Sequence, residues 1–257
     1  MVIYDKKAAQ AIDRSYQTPE IINQRLQTLN GLALRNGESV LDVGCGTGLL
    51  LQMMSGEVGD SGQITGLDLS ADMLEIAKQR CGELANVRLL QGSADELEFE
   101  ANHFDVVACT QTLLYVEQVE QALREISRVL RPGGRVAVVE TDWRGLVLSN
   151  SDNDFTRRIV DAWDIAVVSP NLPVKLIPLL KQVGFSEIRV TPIPVLNTSY
   201  DENNYSTSIL QWFVKAAVRQ GVITQQESDQ WLAQMEQLSK QDAYFFCVNR
   251  FLFTAVK

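Results

Sequence analysis

Val40-Leu41-Asp42-Val43-Gly44-Cys45-Gly46-Thr47-Gly48 is the stretch on which the fold turns. It reads as a buried parallel strand that ends in a carboxylate and runs into a glycine loop opening a helix. Gly44, Gly46 and Gly48 can take backbone angles closed to other residues and let a ligand touch the main chain. The helix that follows, from about Thr47 to Met54, points its free N–H groups at that loop. The spacing is G-x-G-x-G behind an acidic residue. Its third glycine falls one residue early for the G-x-G-x-x-G of dinucleotide enzymes, which disfavours a nicotinamide dehydrogenase.

Two further carboxylates follow at matching places. Gln63 to Asp68 reads as a second short strand ending in an acid, where both hydroxyls of a ribose can be accepted. Ser70 is placed to cap a helix over 70–81, with Met73, Leu74 and Ala77 at helical spacing. A third strand, 86–91, leads to Gly92-Ser93-Ala94-Asp95. Asp42, Asp68 and Asp95 thus converge on one crevice at the carboxyl ends of successive strands.

The alternation continues with strands near 104–109 and 134–140, a helix over 117–130, and a stop at Arg131-Pro132-Gly133-Gly134. Two helices precede it, over 5–14 and 19–29, with Thr18 as a cap and Pro19 at the first helical position. Such alternation predicts an α/β fold, a parallel sheet with helices on both faces. Beyond Glu140 the sheet needs a helix (172–183), a sixth strand (186–195) and an antiparallel seventh (244–256).

Two segments remain over. Residues 142–171 carry a helix near 152–168, and residues 200–241 carry apolar positions at helical period, among them Ile209, Trp212, Phe213, Trp231 and Met235. The expectation is one domain over 1–257. In it, N-terminal helices (1–30) and a cofactor core (31–141) are joined by a helical lid from the two insertions, the second moving as a unit.

Composition narrows the partners. The net charge is −9, and the longest mixed stretches hold no basic cluster, so nucleic acid is disfavoured. Hydrophobic residues make up 46%, enough for a sizeable core. Met1 to Gln10 lacks the apolar run of a signal peptide, and Tyr244 to Val256 is too short to span a membrane. A soluble cytoplasmic protein, monomer or homodimer, is expected. Cys45, Cys81, Cys109 and Cys247 have no paired spacing, and His103, the single histidine, sits in a turn before a strand. No metal site is expected.

The run from Val40 to Trp143 resembles the class I S-adenosylmethionine-dependent methyltransferases, in their ubiquinone- and menaquinone-biosynthesis-like branch. The pieces that carry the likeness are VLDVGCGTG, GLDLSADML, GSADELEF, FDVVACTQTLLYV and RVLRPGGRVAVVETDW. The resemblance implies a Rossmann-like seven-stranded sheet, mostly parallel with an antiparallel last strand, and S-adenosylmethionine as cofactor. It assigns Asp42, Gly44, Cys45, Gly46 and Gly48 to the methionine half, Asp68 to the ribose and Asp95 to the adenine. Leu69, Met73, Ala94 and Thr110 flank those positions as further cofactor contacts. Tyr16 is expected to wall off solvent, and Arg25 to support the negatively charged end of the cofactor.

Methyl transfer asks mainly for alignment and exclusion of water. A base is needed only where the acceptor must lose a proton. The candidates are Asp142, Glu117 and Asp164, with Tyr115 as a second catalytic group. Tyr115, Trp143, Trp163 and Trp212 can enclose a flat or cationic methyl acceptor. Small-molecule methylation at nitrogen, oxygen or carbon is the expectation. The alternatives are quinol-type carbon methylation and a non-catalytic S-adenosylmethionine sensor.

Overall fold

The architecture was taken from a computed structural model that describes residues 5–150 and 153–257. Its strands are β1 (Ser39–Val43), β2 (Gln63–Asp68), β3 (Val87–Gln91), β4 (Phe104–Thr110), β5 (Leu130–Leu148), β6 (Ser186–Asn197) and β7 (Phe246–Val256). They form one sheet in the order β3-β2-β1-β4-β5-β7-β6. The first five are parallel, and β7 runs antiparallel to both β5 and β6. Strand order reverses between β1 and β4, and that switch point is where ligands bind in such sheets. Val40, Leu41, Val43, Val106 and Val107 are fully buried, as a parallel strand covered on both faces must be.

The helices follow the expected order: α1 (Lys6–Ser15), α2 (Pro19–Leu32), α3 (Leu49–Val58), α4 (Ala71–Cys81), α5 (Val119–Val129), α6 (Asp154–Ala166), α7 (Pro173–Gln182), α8 (Tyr205–Arg219) and α9 (Gln225–Lys240). Ser70 caps α4 through the Met73 N–H, as its position predicts. Thr18 does not cap α2. Its hydroxyl donates to the Ser15 carbonyl at 3.0 Å, and Pro19 at the first position removes one donor that a cap would serve.

Two differences bear on the site. Helix α5 stops at Val129 as expected, but Arg131 to Gly134 is absorbed into β5 as a bulge, with Phe104 opposite Leu130 and Val106 opposite Arg135. At its other end β5 runs on to Leu148, pairing Val147 with Cys247 and Leu148 with Phe246. The first insertion therefore begins as strand, not loop.

The second insertion is a helix pair whose two members differ in role. Helix α8 packs on α6 and α1. Helix α9 packs behind α8, and its Trp231 indole donates to Thr156 on α6 at 3.0 Å. Trp231 and Met235 are core residues, so only α8 faces the carboxyl edge of the sheet.

Candidate active site

Two adjoining cavities lie at the carboxyl ends of β1, β2 and β4, beneath α1 and the start of α2. They share Ile12, Tyr16, Gln111 and Tyr115 as a common wall.

The first cavity is built by the glycine loop. Gly44 and Cys45 donate their N–H groups to the Leu67 carbonyl at 2.7 and 3.0 Å, which pins the loop to the end of β2. Asp68, next in line, accepts from Gly46 N–H at 2.8 Å and Ser70 N–H at 2.9 Å. Its carboxylate thus braces both the loop and the entry to α4, with lone pairs to spare for hydroxyls. Asp42 lies at the tip of β1 with almost no exposure, and its Oδ1 has no hydrogen-bond partner. Burial, and then the neighbouring Asp68, push its carboxyl up to about 7.

A cation shares this cavity with the two acids. Arg25 lines the same cavity and is itself buried. Its guanidinium donates to the Tyr16 carbonyl, while Nε has no partner. Burial, then the nearby Arg80, hold its pKa below the usual range. Arg80 pairs with Asp13 of α1 at 3.0 Å and donates to the Thr47 carbonyl, tying α1 to the loop.

Of the cofactor residues expected from sequence, Tyr16, Arg25, Asp42, Gly44, Cys45, Gly46, Asp68, Leu69, Met73, Ala94 and Thr110 line this cavity. Gly48 and Asp95 do not. Gly48 is the left-handed N-cap of α3 (φ 79°), and a Cβ there would meet Ala77 and Cys81 at 3.1 Å, so it serves the packing of α3 on α4. Asp95 instead accepts from the Ser93 hydroxyl beside the rim, where Gly92 and Ala94 form the wall. Burial first of all pushes the Cys45 and Cys109 thiols well up, so neither is a thiolate nucleophile.

The second cavity is aromatic. Trp143, Trp163, Trp212, Tyr115 and Tyr205 line it, with Lys215 and Arg219 of α8. Trp143 meets Trp163 edge-on at 5.6 Å, and Phe213 stacks behind Trp163 at 5.0 Å. These tryptophans are at once core and cavity wall.

Asp142, Glu117 and Asp164 line neither cavity. Asp142 pairs across β5 and β7 with Asn249, Glu117 is exposed, and Asp164 accepts from Arg144 Nε at 2.8 Å. The expected general base Asp142 thus falls outside the cavities: successive side chains of a strand point to opposite faces, so the alternation that brings Trp143 of β5 to the second cavity directs Asp142 away from it. Tyr115 remains, on a 3-10 turn over Leu113–Tyr115.

Sequence reading missed several groups. Gln111 holds φ 53° at the end of β4 and lines both cavities. Gln24 lines the first and accepts from Arg250 at 2.7 Å. Arg250 is fully buried between the rings of Tyr16 (5.6 Å) and Tyr205 (4.9 Å), so one guanidinium supports a wall of each cavity. Glu140 is fully buried in the middle of β5, where burial pushes its carboxyl up to about 8 against N–H bonds from Leu113 and Thr112. Polar residues in a run such as Thr110-Gln111-Thr112 carry no periodic signal that would mark them.

Gly44 offers a direct check of the loop. It holds φ 74°, and a Cβ there would lie 2.0 Å from the Thr112 hydroxyl oxygen. Gly44→Ala is expected to displace the loop from β4 and lower the melting temperature by several degrees, since strain of this kind costs about 1–3 kcal/mol. Unchanged thermal unfolding would show that the loop has room to spare.

Comparison with known proteins agrees with this geometry. Residues 41–138 match the family model described as a methyltransferase domain. The demethylmenaquinone methyltransferase of Staphylococcus aureus (strain JH9) is 42% identical over 117 residues, 46% of this chain and 48% of that protein. The chain spans about half the length of the curated relatives it matches. Among solved structures, the YcgJ protein of Bacillus subtilis is similar with a TM-score of 0.65 at 18% identity, over 92% of this chain and 98% of that one. A phosphoethanolamine N-methyltransferase 2 of Haemonchus contortus, solved with S-adenosyl-L-methionine, has a TM-score of 0.65 at 23% identity, over 99% of this chain and 57% of that one. Residues 41–138 thus resemble a methyltransferase domain, and the seven-stranded sheet around them has the Rossmann-like fold of these solved structures.

Proposed function

We propose that this chain binds S-adenosylmethionine in the first cavity and transfers its methyl group to a small organic molecule in the second. The observation that carries the reading is the charge arrangement of the first cavity. Asp42 has an unpartnered buried oxygen, Arg25 an unpartnered buried nitrogen, and both line the cavity of the glycine loop, which is open at Gly46. A ligand with an amino group and a carboxylate on one carbon satisfies both charges, and the ribose and adenine extend past Asp68 towards Leu69, Met73 and Ala94.

When bound, S-adenosylmethionine supplies a methyl group on a cationic sulfur that departs as a neutral thioether. The residues of this chain align and enclose. Asp42, ionised on binding, meets the cofactor's amino group and Asp68 its ribose, while Tyr16 and Arg25 line the same cavity from α1 and α2. Tyr115 and Gln111, common to both cavities, are placed to orient the acceptor atom by hydrogen bonds. Among the described residues no carboxylate lines the second cavity, so an acceptor proton passes to solvent, directly or by relay through the Tyr115 hydroxyl as that group gives up its own proton to water. Among the described residues no helix is long and apolar enough to cross a membrane, and we place the reaction in the cytoplasm.

The aromatic second cavity also suits a quinol, and the menaquinone-branch relative favours carbon methylation as the second reading. Incubation with methyl-labelled S-adenosylmethionine and a small-molecule extract tests both. A labelled product of low mass is expected, and Trp212→Ala should reduce its formation at least tenfold while leaving cofactor affinity within about twofold. Cofactor binding with no labelled product would favour the sensor, and absence of binding would end the reading.

A further inference from the structure

The second cavity has an unbalanced inventory of charge. Trp212, Lys215, Ala216 and Arg219 fall at i, i+3, i+4 and i+7 on α8, and all four line it as one stripe. Among the described residues Lys215 and Arg219 are its only charged wall residues, in a protein whose net charge is −9. Neither forms an ion pair among the described residues, although seven other pairs do form there. The Lys215 ammonium rests 5.3 Å from the Trp212 ring, and both cations are on the solvent-exposed side of α8.

Deeper in, the polar atoms left over are donors. Trp143 and Trp163 are 3% and 8% exposed, and neither indole N–H has an acceptor. An indole N–H can only donate, so a cavity occupant that satisfies it must bring an acceptor such as oxygen. Aromatic walls by themselves would also suit an ammonium group. Here two lysine- and arginine-borne charges with no balancing carboxylate repel one.

We propose that the methyl acceptor is an organic anion: a flat apolar body that packs among the tryptophans, with a carboxylate or similar oxyanion held by Lys215 and Arg219. The proposal rests on the methyl-transfer reading and deepens it. The anion is a handle, not the reacting group. Lys215 and Arg219 line the second cavity only, whereas the wall shared with the cofactor cavity is Ile12, Tyr16, Gln111 and Tyr115. A neutral quinol would leave both cations without a role.

The test uses three probes on one ring system: 2-naphthoate, 2-naphthamide and 2-naphthylmethylammonium. Each is titrated calorimetrically into the full chain saturated with S-adenosylhomocysteine. At low ionic strength 2-naphthoate is expected to bind about tenfold more tightly than the amide, with the ammonium weakest. In Lys215→Gln/Arg219→Gln the advantage over the amide should vanish while S-adenosylhomocysteine affinity stays unchanged. Equal binding of naphthoate and amide, tighter binding of the ammonium, a preference that survives the double substitution, or no binding by any probe would overturn the proposal. Failure of S-adenosylhomocysteine itself to bind would remove the methyl-transfer reading, and this inference with it.

Discussion

Asp68→Ala is expected to weaken S-adenosylmethionine binding by about tenfold to a hundredfold, with the sheet still folded. Charge-assisted hydrogen bonds are worth about 1.5–3 kcal/mol, and each 1.4 kcal/mol is a factor of ten. Asp68 works twice. It holds Gly46 and Ser70 through their N–H groups and leaves lone pairs for the ribose hydroxyls. Asp68→Asn separates the two contributions. Its amide keeps one acceptor oxygen for the loop but loses the charge, so it should fall between wild type and alanine. Calorimetric titration reads the affinity, and circular dichroism the fold. Wild-type affinity in a folded Asp68→Ala protein would remove the ribose assignment.

Affinity for the cofactor should also fall steeply in mild acid, through Asp42. In the ligand-free protein burial and Asp68 raise this carboxyl to about 7. A cationic ligand favours its ionised form, so binding releases a proton wherever Asp42 is protonated beforehand. Affinity should then drop about fivefold from pH 7 to pH 6, and about tenfold for each unit below that. The stability of the free protein runs the other way. Between the usual carboxylate pKa and about 7 the folded chain holds a proton that the unfolded chain has lost, so stability declines as pH rises through that window. The thermal shift on adding cofactor should accordingly grow from pH 5.5 to pH 7.5. In Asp42→Asn the affinity should be lower and its pH dependence flat over this range. The same slope in that variant would assign the titration to another group.

The two cavities differ in how far they could be foreseen. The first is made from a contiguous motif and from strand ends, features that a linear pattern records. Burial of Asp42 follows from its place at the end of an apolar strand, and the bracing of Gly46 by Asp68 follows from two neighbouring parallel strands ending together. The second cavity gathers side chains from α1, the end of β4, β5, α6 and α8, which lie far apart in the chain. Trp143, Trp163 and Trp212 could be nominated because large aromatics in segments that the sheet does not require have little else to pack on. Asp142 was nominated as a carboxylate at the end of the fifth strand and lies outside both cavities, on the strand face opposite to that of Trp143.

Sequence by itself determined the order of strands and helices, the glycine loop and the carboxylates at its side. These depend on local periodicity, on glycine's freedom at positive φ and on residues close together in the chain. Tertiary structure alone decided which face of the second insertion matters. Both α8 and α9 show helical spacing, yet α8 lines the second cavity and α9 buries Trp231 and Met235 behind it. It also decided that Arg250, at the far end of the chain, is stacked between Tyr16 and Tyr205 and bonded to Gln24. Amphipathic spacing states that a helix has an apolar face but not what that face meets. A buried arginine is read as core only once the rings and the amide that receive it are brought together by the fold.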